Sequence, residues 1–188
     1  MKFIFIRHSK TDRNPQVPIT CWGLADSGIE LAQELSRQDV IKNLDVVYAS
    51  FQTKALETAV ILAKPNAIPI KADDGLTEVT SFTGPFEQDF DVYTKNVHDY
   101  YADEVDRISG GETKEEALKR FNTTLEAIAK AESHLGFVGI ITHGNILTLF
   151  SALYKDVDCY ELHTKIKQPD VAVFDWDKKQ FETFFGDL

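Results

Sequence analysis

Lys2-Phe3-Ile4-Phe5-Ile6-Arg7, running straight into His8-Ser9-Lys10-Thr11-Asp12-Arg13-Asn14, is the stretch whose reading decides the fold. Its first six residues are an Ile/Phe run of strand length flanked by cations, which predicts a buried strand ending at a polar turn. Asp45 to Ser50 (DVVYAS) and Phe137 to Thr142 (FVGIIT) repeat that pattern and predict two further buried strands. Between and after them lie amphipathic patterns. Ser27 and Glu30 have capping-box spacing ahead of Leu31, Ala32 and Leu35, and predict a helix to about Arg37. A second helix is expected directly after Ser50, with Ala55, Leu56, Ala59 and Leu62 inward and a stop before Pro65. Thr113 and Glu116 open a third, carrying Leu118, Phe121, Leu125 and Ile128 toward a stop at Gly136, and a fourth begins after Gly144. Strands alternating with helices call for crossover connections, hence a largely parallel sheet covered on both faces, a three-layer α/β/α sandwich. Val171 to Trp176 and Gln180 to Phe185 predict a terminal hairpin at the sheet's edge. Residues 79–109 are aromatic and acidic without one periodicity, and are expected to form a small inserted cap on one domain spanning 1–188.

Composition narrows the partners. The 188 residues carry 30 acids against 20 Lys and Arg, a formal charge of −10 that repels nucleic acid and anionic lipid unless a few cations gather in one pocket. No apolar run approaches the ~20 residues of a membrane span, and none resembles a signal segment, so the expected location is cytoplasmic. Cys21 and Cys159 lack the spacing of a disulfide framework or a metal knuckle. Oligomeric state has no signature in the chain.

In open parallel sheets, ligands bind beyond the carboxyl ends of the strands. Those places hold Arg7-His8 with Asn14, Ser50 with Lys54 a turn later, and His143-Gly144-Asn145. Two imidazoles with two fixed cations suit phosphoryl transfer, because a neutral imidazole can attack phosphorus while cations stabilise the equatorial oxygens. An unperturbed histidine pKa of ~6.5 leaves a neutral fraction at pH 7. The chemistry therefore calls for neither metal nor cofactor.

At these residues the sequence resembles the histidine phosphatase superfamily, which also contains the cofactor-dependent phosphoglycerate mutases. The opening signature of that family corresponds to Arg7-His8-Ser9-Lys10-Thr11-Asp12-Arg13-Asn14, with Ser9 where Gly is usual. Leu24-Ala25-Asp26-Ser27-Gly28 follows the next segment without its Thr, and Ser50 to Ala59 matches a third with Lys54 in place of Arg. Leu76-Thr77-Glu78, Gly110-Gly111-Glu112-Thr113 and Thr142-His143-Gly144 complete six segments in register. The resemblance implies that His8 becomes a phosphohistidine, that Arg7, Asn14, Lys54 and His143 hold the phosphoryl oxygens, and that Glu78 protonates the leaving group. Glu87 and Glu112 stand as alternative donors. Lys54 keeps the charge of the family's Arg but not its fork, and Ser9 requires a negative φ or a partner for its hydroxyl.

The expected function is metal-independent hydrolysis of a small phosphomonoester. A mutase would need more cations around the pocket than Lys95 and Arg107, which face seven acids in 79–109, although Lys10 and Arg13 keep that alternative open. A non-catalytic phosphate-binding module is a further alternative, supported only by Lys54 and Ser9. His98, His134 and His163 lack metal-ligand spacing and read as surface or core residues.

Overall fold

The computed structural model describes residues 1–14, 16–79, 90–108 and 111–187. The strands are β1 (Lys2–Arg7), β2 (Val46–Ala49), β3 (Ile70–Ala72), β4 (Phe137–Thr142), β5 (Asp170–Asp175) and β6 (Gln180–Thr183). The helices are α1 (Asp26–Leu35), α2 (Asp39–Lys42), α3 (Thr53–Ala63), α4 (Phe90–Tyr101), α5 (Lys114–Ala131), α6 (Gly144–Ala152) and α7 (Cys159–Lys165). One sheet has the order β3-β2-β4-β1-β5-β6, parallel through β1 and closed by antiparallel β5 and β6.

Alternation along β1 divides the core, since successive side chains point to opposite faces. Phe3 and Phe5 pack with Phe121 and Leu125 of α5 and Phe150 of α6, while Ile4 and Ile6 pack with Leu35 of α1 and Ala59 and Leu62 of α3. Both faces are covered, so β1 and β4 read as continuous apolar runs rather than alternating ones. The Phe5 and Phe150 rings stand 4.9 Å apart in a tilted pair. The three-layer sandwich and the terminal hairpin are both present.

Two local expectations change, and one strand is added. Ser27 does not cap α1: the helix begins at Asp26 with Ala25 as its N-cap and no side-chain cap bond. Ala25 N–H donates to Lys10 O at 3.0 Å, so the loop after His8, not the Ser27 hydroxyl, sets the helix start. Helix α5 keeps its Thr113/Glu116 capping box but ends at Ala131, short of Gly136. There Glu132 turns inward to accept from Tyr48 OH at 2.7 Å and from Lys71, and Leu135 N–H closes a turn on Glu132 O at 2.8 Å. Strand β3, three exposed residues, has no apolar pattern to announce it.

Of the cap expected over 79–109, the part with Phe82, Phe86 and Glu87 lies outside the described residues. The rest contains α4, which packs on α7. Among the described residues no helix is long and apolar enough to cross a membrane.

Candidate active site

Sheet register brings the chemistry together. Arg7 pairs with Thr142 across parallel neighbours β1 and β4, so His8 and His143, the next residue on each strand, emerge side by side. Their ring centroids lie 5.0 Å apart, inclined at 59°. His8 N–H donates to Thr142 O at 2.9 Å, and Ser50 N–H at the end of β2 donates to Ile141 O at 3.0 Å. A cavity of about 410 Å³ opens above these strand ends, and Arg7, His8, Lys54, Glu78 and His143 all line it.

The two imidazoles are oriented differently. His8 Nδ1 stands 2.8 Å from Ser9 O, and because a carbonyl can only accept, the ring proton sits on Nδ1 and the lone pair on Nε2. His143 Nε2 stands 2.8 Å from Ser50 Oγ, while its buried Nδ1 has no protein partner. Burial pushes both histidines well below the usual range; nearby Lys54 and Arg7 add to this at each ring, and His8 adds to it at His143. Both rings are therefore neutral at pH 7.

Two cations flank them. The Arg7 guanidinium is pinned by Ile166 O and keeps a buried Nε without a protein partner. Lys54, in the first turn of α3, is 5% exposed; its Nζ donates to Ile19 O at 2.9 Å, and burial lowers its pKa to about 8. Ser9 is accommodated because its hydroxyl donates to Gly28 O at 2.7 Å, while its N–H donates to Thr58 Oγ1 at 3.0 Å.

Glu78 is seated on the start of α6. Its Oε2 accepts from Asn145 N–H at 3.0 Å and Asn145 Nδ2 at 3.3 Å, and Oε1 accepts from Ile146 N–H and Val79 N–H, each at 2.9 Å. Burial raises its pKa, and these donors together with Arg7 oppose the rise. Arg120 braces the preceding loop by donating to Gly75 O at 2.8 Å and Thr77 O at 3.0 Å. Glu112 is occupied by Arg120, Nε to Oε1 at 2.7 Å, and does not line the cavity. Glu87 lies outside the described residues.

Asn14 is not brought to the others. It is exposed, its Oδ1 accepts from Gln16 N–H at 2.9 Å, and its backbone O accepts from Trp22 Nε1 at 2.8 Å. Arg13, one position earlier, lines the cavity in its place. His163, read from sequence as a surface or core residue, also lines the cavity, together with Tyr160 and Thr164 of the same helix. Asp158 caps that helix by accepting from Glu161 N–H at 2.7 Å. The Asp158-to-Glu161 spacing was the available signal for α7. Among the described residues no group of three or more His, Cys, Asp or Glu side chains is placed to hold a metal ion.

A family model described as the histidine phosphatase superfamily (branch 1) matches residues 3–184. The chain belongs to that superfamily. Among solved structures, the chain is similar to YhfR of Bacillus stearothermophilus, at 22% identity and a TM-score of 0.76, over 98% of this chain and 96% of that one. It is also similar to phosphoserine phosphatase from Entamoeba histolytica in complex with 3-phosphoglyceric acid, at 21% identity and a TM-score of 0.74, over 100% of this chain and 97% of that one. A mycobacterial glucosyl-3-phosphoglycerate phosphatase solved with VO3 gives 16% identity and a TM-score of 0.74, over 100% of this chain and 98% of that one. At these identities the likeness is one of fold. A search of curated proteins found no match. Two of the chain's departures from the family pattern, Ser9 and Lys54, sit in formed hydrogen bonds.

Proposed function

We propose that the protein is a metal-independent phosphomonoesterase that works through a phosphohistidine on His8. The carrying observation is the 5.0 Å approach of the His8 and His143 rings at the floor of a cavity that Arg7 and Lys54 also line. With Nδ1–H tied to Ser9 O, the His8 Nε2 lone pair forms the N–P bond as the P–O bond to the leaving alcohol breaks. Arg7, Lys54 and the unpartnered Nδ1 of His143 meet the phosphoryl oxygens, where fixed donors stabilise the charge that develops. Glu78, whose pKa burial raises while its N–H donors and Arg7 oppose the rise, is the carboxyl group that gives its proton to the departing oxygen. In the second half a water forms the new O–P bond, its proton returns to Glu78, and the N–P bond breaks. The net reaction is ester plus water to alcohol plus phosphate.

Asn14 has no part in this account as the chain stands, because its side chain is engaged in its own turn. Arg13 at the cavity wall is the observation that favours a mutase as second reading. Incubation with phosphoglycerate decides between them, since isomer interconversion without stoichiometric phosphate release overturns hydrolysis. The test of the mechanism is a panel of phosphomonoesters with chelator present, scored for phosphate release and for acid-labile label on the protein. His8→Ala is expected to abolish both, and an unchanged rate in that variant overturns the assignment.

A further inference from the structure

The phosphoryl chemistry uses only the floor of the cavity. Much of the remaining wall comes from α4, which supplies Tyr93 and Thr94, and from α7, which supplies Tyr160, His163 and Thr164, with Gln168 beyond. Tyr160, His163 and Thr164 stand at i, i+3 and i+4, the spacing that places side chains on one helical face. Two phenol rings thus share the wall with two hydroxyls, an amide and an imidazole. Glu78 is the one carboxylate among the described lining residues, and Arg13 is the one cation beyond Arg7 and Lys54.

We propose that the α4 and α7 wall is a leaving-group subsite for an uncharged hydroxylated group, a sugar or polyol bearing a single phosphate, with His163 as its specificity-determining residue. The proposal rests on the phosphatase reading and names its substrate class.

The hydrogen-bond polarity of the wall carries it. Tyr101 O–H donates to Asn145 Oδ1 at 2.8 Å, so the phenol oxygen has only lone pairs left for His163 Nδ1, 3.5 Å away. The ring proton of His163 then lies on Nδ1, and Nε2 is an acceptor. An acceptor suits a substrate O–H and repels a carboxylate or a second phosphate. Protonation would reverse that preference, but burial and the nearby Arg7 push the His163 pKa down to about 4, so the ring is neutral across the physiological range. Tyrosine rings add apolar area against the C–H faces of such a group, the Thr164 hydroxyl, whose proton goes to Glu161 O at 2.8 Å, offers lone pairs, and the Gln168 amide can both donate and accept. The same Asn145 also donates to Glu78, so the subsite and the proton donor share one support.

Calorimetric titration of the His8→Ala protein with a hexose 6-phosphate, phosphoserine and inorganic phosphate tests this without turnover. The hexose phosphate is expected to bind at least tenfold more tightly than inorganic phosphate. His163→Ala in that background should remove the gain while inorganic phosphate still binds, and His163→Gln, which offers an amide near the Nε2 position, should restore part of it. If the Ala variant loses inorganic phosphate as well, the Gln variant decides. A hexose phosphate no tighter than phosphate, a larger gain for phosphoserine, or a gain that survives both substitutions overturns the proposal. In the turnover arm, His163→Ala should lower the ratio of kcat/KM for hexose phosphate over phenyl phosphate at least tenfold, and an unmoved ratio overturns it too. Failure of the wild-type protein to hydrolyse any monoester overturns the phosphatase reading instead, and the binding arm still decides the subsite.

Discussion

Gly144 lies directly against the Arg7 guanidinium: a Cβ added at Gly144 would stand 2.9 Å from both Arg7 Cζ and Nη2. Arg7 closes β1 and Gly144 opens α6, and the β1–β4 register carries them to one place. The guanidinium is half-buried and tied to Ile166 O, and the direction left open to it is the cavity.

Gly144→Ala is therefore expected to displace Arg7 from the phosphoryl site. Misplacing a positioning group by a fraction of an ångström to an ångström costs up to ~100-fold in rate, so kcat/KM on an aryl phosphate should fall by about ten- to a hundredfold. Steady-state kinetics alongside urea unfolding checks this. Wild-type activity in a folded variant would show that the contact does not position Arg7.

Lys54 sets an alkaline limb. Its charged form is the one that stabilises phosphoryl oxygens, and with a pKa of about 8 that form is lost as pH rises through 8. Activity should decline above that pH in the wild-type protein. Lys54→Arg should move the limb upward and keep or raise activity at pH 7, because guanidinium does not deprotonate there. A limb that stays in place in the Arg variant assigns it to another group.

Glu78→Gln removes the carboxyl proton and keeps one oxygen, which can accept from Asn145 N–H or from Ile146 N–H but not from both, since these donate to different oxygens of Glu78. General-acid catalysis contributes ~100- to 10,000-fold, and matters least when the leaving group is already acidic. Turnover of an alkyl phosphate should thus fall by at least ~100-fold, and that of a nitrophenyl phosphate by much less. Equal losses on the two esters would remove the donor role.

Gly28 supports the loop after His8. A Cβ there would come within 2.1 Å of the Lys10 backbone oxygen, and backbone cannot rotate away as a side chain can. Overpacking of this kind costs about 1–3 kcal/mol or more. Gly28→Ala is expected to lower the urea midpoint accordingly, and an unchanged midpoint would mean that α1 shifts freely.

Stability should fall on mild acidification. His8 and His143 are held well below their unfolded pKa of 6.5 and His163 at about 4, so between those values the unfolded chain binds more protons than the folded one. Their contribution is complete above pH 6.5 and is lost as pH falls from there toward 4. Glu78, raised by burial, works in the opposite sense over the lower part of that range. Denaturant unfolding at pH 7 and pH 5 measures the balance, with a lower midpoint expected at pH 5.

Much of the site was readable because it follows strands. A continuous Ile/Phe run ending in Arg7-His8 and another ending in Thr142-His143 predict both the elements and the side of the sheet on which the imidazoles emerge. Lys54 was readable from its place in the first turn after Ser50. Asn14 was misplaced by its motif, because an Asn side chain can satisfy its own turn, here through Gln16 N–H, instead of reaching a ligand. His163 and Tyr160 were passed over because α7 is seven residues long and offers too few turns for an amphipathic period.

By itself, then, the sequence determined the strands other than β3, the main helices, the family and the two histidines, all of which depend on patterns a few residues long. Tertiary structure alone decided that Glu78 rests on the amides of Asn145 and Ile146, that Glu112 is consumed by Arg120, and that α4 packs on α7 beside the cavity that His8 lines. Glu78 and Asn145 are separated by 67 residues, and such contacts are set by how layers pack on a twisted sheet rather than by any local preference of the chain.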